Sequence, residues 1–308
     1  MPSDYTTTSL LTSIKTRVMF PTKQNTFSDT LLLQLANEEL QTVILPMIMS
    51  LQWEFFVTYL DYALTAEREY AIPPNAIGSK LRDVVVISAS GNENSIPLIS
   101  QDLQGESSPW PYGSEGFLVR GNKVVLSPNI TQGVTLRLYY FRRPNRMVKT
   151  SEAGQIVSFS PVSNTAILNN IPVGWSTSKT LCIVSNTPDF SLTVESSPVS
   201  DISSPSLILP ASTIAKMVID DWVCLEGETT IPQIPVEAHP VLAQAVAVKC
   251  VEASGDSTQM EFSQTKFTQI MTNYRSMVAP RVEGEPHRLV TRRGISNFIG
   301  GNRYRGRF

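Results

Sequence analysis

Apolar residues recur at helical spacing near both ends of the chain and at strand spacing between them. Leu33, Ala36, Leu40, Ile44 and Met47 stand three or four positions apart, forming one stripe on a helix that Ser28 and Asp29 open. A shorter helix precedes it, capped by Ser9 and running to about Val18, before Pro21 forbids continuation. Pro46 predicts a kink or break. Beyond it Ile48, Leu51, Phe55, Tyr59 and Tyr62 keep the helical spacing and carry the helix to about Tyr62.

From Leu81 the period shortens. Val84–Ile87 is an apolar run ending in the turn Ser90-Gly91-Asn92. Phe117–Arg120 and Lys123–Leu126 flank Gly121-Asn122 as a β-hairpin with a two-residue turn. Val134–Phe141 alternates until Pro144 ends it. Further strands are expected at Gln155–Phe159, Thr180–Val184, Ser191–Val194, Ser206–Leu209 and Trp222–Leu225, with a helical turn at Lys216–Asp221. Helix returns at His239-Pro240, an N-cap followed by a first-turn proline. Gly255 then reads as a C-cap, and Asp256, with Gln259 three residues on, as a new N-cap. Phe267, Met271, Tyr274 and Val278 form the last stripe before Pro280.

Each helical arm carries an apolar face that it cannot bury alone. The pattern therefore predicts an α+β fold: a helical base formed by N- and C-terminal helices, with a large inserted antiparallel β domain. The expected divisions are an N-terminal helical arm at 1–80, the β-rich insertion at 81–230, a C-terminal arm completing the base at 231–285, and a basic flexible tail at 286–308.

Composition adjusts this picture in two places. The 308 residues are 42% hydrophobic and 17% charged with a net charge of −2, the profile of a folded, weakly charged protein. The last stretch is different, because Arg288, Arg292, Arg293, Arg303, Arg305 and Arg307 occur there without a single Asp or Glu. A mildly acidic body with a basic tail points to a separate partner for the tail. Interleaved Phe298, Tyr304 and Phe308 suit an arm that orders against an acidic protein surface or nucleic acid. Cys182, Cys224 and Cys250 are odd in number and widely spaced, as small buried hydrophobes in a reducing compartment would be. The sequence offers neither a secretory leader nor a membrane-length apolar run, so the expectation is a soluble protein made in a cytoplasm.

Catalytic chemistry is sparse. His239 and His287 both adjoin proline at expected segment ends, where a cap or surface role is the expectation. Phosphate-loop, nucleophile-elbow, zinc-protease and dinucleotide motifs are missing from the sequence. Asp220-Asp221 and Glu226 to Glu228 suggest a Ca²⁺ site only weakly, since paired acids on a turn are commoner. Arg142, Arg143 and Arg146 follow Tyr139, Tyr140 and Phe141, which raises two readings: a nucleic-acid contact, or a strand with core aromatics and a solvated exit. The second is favoured because three consecutive strand residues cannot share one face. Trp53, Trp110, Trp175 and Trp222 would suit a β-sandwich recognition module only if they converged. The expectation is a structural assembly protein without enzymatic activity, cofactor or metal.

Several segments, in order, resemble the head-to-tail connector (adaptor) proteins of short-tailed double-stranded DNA bacteriophages. They are Phe27–Asp29 leading into Leu35–Leu40, Val43–Ile48, Tyr70–Gly78, Gly121–Pro128, Leu138–Pro144 and Ile234–Leu242. The resemblance implies a homo-oligomeric ring, commonly of twelve copies, docked beneath the portal protein at the capsid vertex. Such a ring extends the channel through which viral DNA passes and offers tail or nozzle proteins a platform. It also implies a C-terminal segment reaching into the portal, a role for Arg288, Arg292, Arg293, Phe298, Arg303, Tyr304, Arg305, Arg307 and Phe308. Arg142, Arg143 and Arg146 become candidates for an interface or a DNA-facing cluster.

Overall fold

The structure, a computed structural model, describes residues 5–18, 27–65, 67–99, 116–126, 135–187 and 190–278. The basic tail, 286–308, lies outside the described residues. The fold is α+β with a large β region.

Helix α1 spans Thr7–Val18, and the Thr6 hydroxyl, not Ser9, accepts a first-turn N–H, from Ser9 at 3.4 Å. Helix α2, Asp29–Glu39, starts on Ser28, whose side chain accepts the Leu31 N–H. Pro46 does not stop this helix. A π-helical turn at Leu40–Ile44, in which Leu45 N–H bonds the Leu40 carbonyl, passes directly into α3, Leu45–Leu51, with the proline in its first turn. Widening the turn ahead of the proline removes the need for the N–H that proline lacks.

After α3 the expectation fails. The backbone passes through a 3-10 turn at Trp53–Phe56 and becomes strand β1, Val57–Ala63. Tyr59 and Tyr62, read as one helical stripe with Phe55, lie on opposite faces of that strand. Val57 to Tyr62 also alternates at period two with β-branched and aromatic residues, and pairing against a long strand decides the ambiguity. The helical arm therefore ends at Leu51 and the β region begins at Val57, not at Leu81.

That β region has two modules with separate cores. In the first, β1 is followed by β2 (Glu69–Ala71), β3 (Ala76–Ile87), β4 (Glu93–Ser95), β5 (Phe117–Arg120), β6 (Lys123–Leu126) and β7 (Thr135–Arg142). Strands β1-β7-β3-β4 form one antiparallel sheet, and β2-β6-β5 a second, smaller one. The expected hairpin is β5–β6, with Gly121 at φ 59° in its turn. Val84, Val86, Leu136, Leu138 and Tyr140 from the larger sheet share a core with Tyr70, Phe117, Val124 and Leu126 from the smaller.

The chain then runs through β8 (Arg146–Met147) into the second module. This contains β9 (Gly154–Ser160), β10 (Thr165–Leu168), β11 (Thr180–Val184), β12 (Leu192–Pro198), β13 (Asp201–Ser203), β14 (Ser206–Ile208), a single helical turn α4 (Ala211–Ile214) and β15 (Trp222–Leu225). The helical turn expected at Lys216–Asp221 thus forms a few residues earlier. Seven strands make one sheet, in the order β12-β11-β15-β9-β10-β14-β13. Both faces are buried near its middle: Leu181, Ile183 and Val223 look into one core, and Cys182 and Cys224 into another with Phe190 and Trp222.

Return to the base passes through β16 (Glu228–Thr229) into α5 (His239–Ser254) and α6 (Ser257–Val278). Leu242, Val246 and Cys250 of α5 are completely buried, in one core with Ile14, Leu32, Ala36, Ile44, Ile48 and Tyr274. Helices from both arms thus complete each other's packing. Gly255, at φ 75°, terminates α5 in the left-handed conformation, and Asp256 Oδ1 accepts the Thr258 and Gln259 N–H groups to start α6. Nothing lies within 4 Å of a Cβ placed at Gly255, so only backbone strain opposes a side chain there. Gly255→Ala is expected to cost about 1 kcal/mol in a denaturation experiment, and no loss would contradict this helix end.

A short seam joins base and modules. Strands β8 and β16 pair in parallel, Arg146 opposite Glu228 and Met147 opposite Thr229. Asn37 of α2 completes the seam: its Oδ1 accepts the Met147 N–H at 2.8 Å and its Nδ2 donates to the Met147 carbonyl at 3.0 Å. Thr7 N–H bonds the Thr230 carbonyl, while the Thr7 hydroxyl donates to Val148. Four distant segments of chain are therefore tied at one place.

Candidate interaction surfaces

The arginines that follow β7 are placed in three different environments. Arg142 ends β7, half-buried, and its guanidinium is held below its usual pKa by burial, with Glu195 pulling the other way. Arg143 is exposed, and its N–H bonds the Asn75 carbonyl at 2.7 Å. Arg146 lies in the seam opposite Glu228, close enough to favour that carboxylate's charged form. No continuous basic track joins the three. Of the neighbouring aromatics, Tyr140 and Phe141 are 1% and 2% exposed, which leaves neither free to stack on a base.

Arg142 lines a cleft of about 300 Å³ where the base and the two β modules meet. Phe55, Phe56, Val57 and Thr58 come from the root of the first module, Phe190, Ser191 and Leu192 from the second, and Pro144 and Gln233 from the connecting segments. The Gln233 Oε1 accepts the Asn145 N–H at 2.8 Å. Its Nε2 is buried without an acceptor.

A second surface escaped the sequence reading. Opposite the core face of the β1-β7-β3-β4 sheet, Tyr59 stands across from Tyr139 and Asp61 across from Arg137. Arg137 bonds both Asp61 oxygens, at 2.7 and 2.9 Å, and Glu93 at 2.8 Å, with its guanidinium 4.1 Å from the Tyr59 ring centre. These bonds hold the guanidinium firmly charged. At the root of the sheet, Arg82 bonds Glu54 and lies 5.4 Å from the ring of Trp53, which is 53% exposed. Pre-ordered Trp, Tyr and Arg side chains are the residues that dominate protein–protein contacts. The signal was present as period-two pairing of Tyr59 and Asp61, but the helical reading of that segment hid it.

Other apolar groups face outward. Val157, Ile167 and Ile208 lie on the second module, Val218 and Ile219 on its turn, and Phe262 and Met277 on α6. Helix α6 has 22 residues, of which Glu261, Lys266 and Arg275 are the charged ones. Three of its threonines, Thr265, Thr268 and Thr272, return their hydroxyls to carbonyls one turn earlier. Its outer face therefore carries little charge and two exposed apolar side chains.

The groups considered for chemistry are engaged structurally. Cys182, Cys224 and Cys250 are free and buried, and burial raises all three thiols, Cys182 to about 12 and Cys250 to about 11. Asp221 is 2% exposed and accepts the Asn186 and Val218 N–H groups, so it organises its loop. Glu226 accepts the Thr180 hydroxyl. Among the described residues, no group of three or more His, Cys, Asp or Glu side chains is arranged to hold a metal ion. His239 is the first residue of α5 but is buried, neither capping nor on the surface; it packs 5.1 Å from Tyr5 and 5.3 Å from Phe190, ring to ring. His287 and the residues expected to dock on the portal, Arg288 to Phe308, lie outside the described residues. Of the tryptophans, Trp53 is exposed and Trp222 buried, Trp175 packs against the core of the second module, and Trp110 lies outside the described residues. No described helix is long and apolar enough to cross a membrane.

No family model matches this chain, and no curated protein matches it.

Proposed function

We propose that this protein is a structural virion component, the ring-forming subunit of a phage head-to-tail connector. It would bind the portal, extend the DNA channel and present a platform to tail proteins. The observation that carries the reading is the division of labour in the fold. Helices from both arms share one core, while two β modules have cores of their own and meet the base at a short seam between β8 and β16 and at the root of β1.

Such a subunit meets its neighbours through two different patches, the arrangement that closes into a ring. The sparsely charged outer face of α6 supplies one, with Phe262 and Met277, and the Trp53–Tyr59–Arg137 sheet face supplies the other. On this reading the protein is no enzyme, and the basic tail is its docking arm. A mildly acidic body also suits a channel, because a basic lumen would hold DNA through counterion release.

Mixed with the portal protein of the same virus, the chain is expected to co-sediment as one large ring complex. Failure to co-assemble at any salt concentration would end the proposal. Removing Arg292–Phe308 is expected to weaken portal docking without changing the unfolding transition. Docking of unchanged strength would take the tail out of the mechanism.

A further inference from the structure

The cleft at the meeting point of base and modules combines an apolar lining with hydrogen-bond donors that have no acceptor. Gln233 is 4% exposed, and the orientation of its carboxamide is fixed, since Oε1 must face the Asn145 N–H. Its Nε2 is therefore a donor without a partner, just beneath the cleft wall. Among the described residues, the Arg142 guanidinium likewise has no hydrogen-bond or ion-pair partner. The carboxylate whose charge acts on it, Glu195, is exposed and bonded instead to Asn75 Nδ2. The buried Gln233 donor, left unpaired, costs about 1–3 kcal/mol, while the partly exposed Arg142 guanidinium is open at the cleft for a charged acceptor.

We propose that this cleft is a carboxylate-binding site that takes an Asp or Glu side chain flanked by an apolar residue of a partner protein. The planar guanidinium of Arg142 matches a carboxylate with two parallel bonds, and Gln233 Nε2 adds a third donor. Phe55, Phe56 and Leu192 receive the apolar neighbour and exclude water, which strengthens the charged bonds. A nucleic-acid backbone fits poorly, because the lining is largely aromatic and aliphatic and Glu195 stands nearby. The site is independent of ring formation, so failure of portal co-sedimentation leaves it standing.

The test is calorimetric titration of the full chain with acetyl-Leu-Glu-Phe-amide, acetyl-Leu-Gln-Phe-amide and 3-phenylpropionate. The Glu peptide is expected to bind about tenfold or more tighter than the Gln peptide, because only the former supplies an anion. Arg142→Lys keeps the charge but loses the fork, and should weaken the Glu peptide about tenfold while leaving the Gln peptide unchanged. Equal binding of the two peptides, or no binding of either, would overturn the site. Should 3-phenylpropionate bind as tightly as the Glu peptide, a free organic acid is the ligand and the partner-protein assignment fails. If Arg142→Lys does not fold, the Glu-to-Gln comparison on the unaltered chain decides alone.

Discussion

Asn37→Leu is expected to destabilise the protein by about 2–6 kcal/mol, because it leaves both the N–H and the carbonyl of a buried strand residue unpaired. Asn37 holds Met147 as a neighbouring strand would, by one accepted and one donated bond at 2.8 and 3.0 Å. Met147 is 2% exposed and packs into the core of the base, so water does not readily replace the lost amide. Leucine fits the helix and fills comparable volume, which confines the change to hydrogen bonding. Chemical denaturation with far-ultraviolet dichroism reads the effect. A loss below about 0.5 kcal/mol would mean that solvent reaches the seam and that Asn37 does not hold it.

His239 supplies the second large effect, one that depends on pH. Burial lowers its pKa from the usual 6.5 to about 4, against a smaller upward pull from the carbonyls of Ile234 and Pro232. In the unfolded chain the imidazole binds its proton near pH 6.5; in the folded chain it does so only near pH 4. Between those values the unfolded state holds more protons, so stability is complete above about pH 6.5 and falls as pH drops toward 4. The shift corresponds to about 3 kcal/mol at the acid end of the window. His239→Phe keeps a ring against Tyr5 and Phe190 and should flatten the profile between pH 6.5 and 4. An unchanged acid slope would assign the dependence to carboxylates instead.

Much of the architecture was legible because local signals agreed with tertiary ones. Ser28 and Asp256 cap helices, Gly255 ends one, and the hairpin around Gly121-Asn122 forms where its turn residues place it. The segment from Val57 to Tyr62 was not legible, because its residues satisfy periods of two and of nearly four at once. Only pairing with β7, some eighty residues away, resolves it. The seam was invisible for a different reason: two-residue strands such as Arg146–Met147 and Glu228–Thr229 carry no periodicity. Pro46 misled because a helix can absorb a proline by widening the preceding turn, a backbone response that the sequence does not display.

The candidate surfaces divide along the same line. The arginines after β7 looked like one cluster because they are close in sequence, yet strand alternation and the seam send them to separate places. The Arg137 network is the converse. Asp61, Glu93 and Arg137 are far apart in sequence and meet only through strand order.

The helical core shared by the two arms also sets a timetable for the newborn chain. Each β module closes on residues that leave the ribosome within a short interval, whereas α1 to α3 must wait for α5, about 190 residues later. At roughly 5–20 residues per second, that delay is on the order of 10–40 seconds, during which Leu32, Ile44 and Ile48 remain uncovered. Nascent chains stalled before His239 should therefore be captured by chaperones through their first fifty residues, while their first β module is already folded.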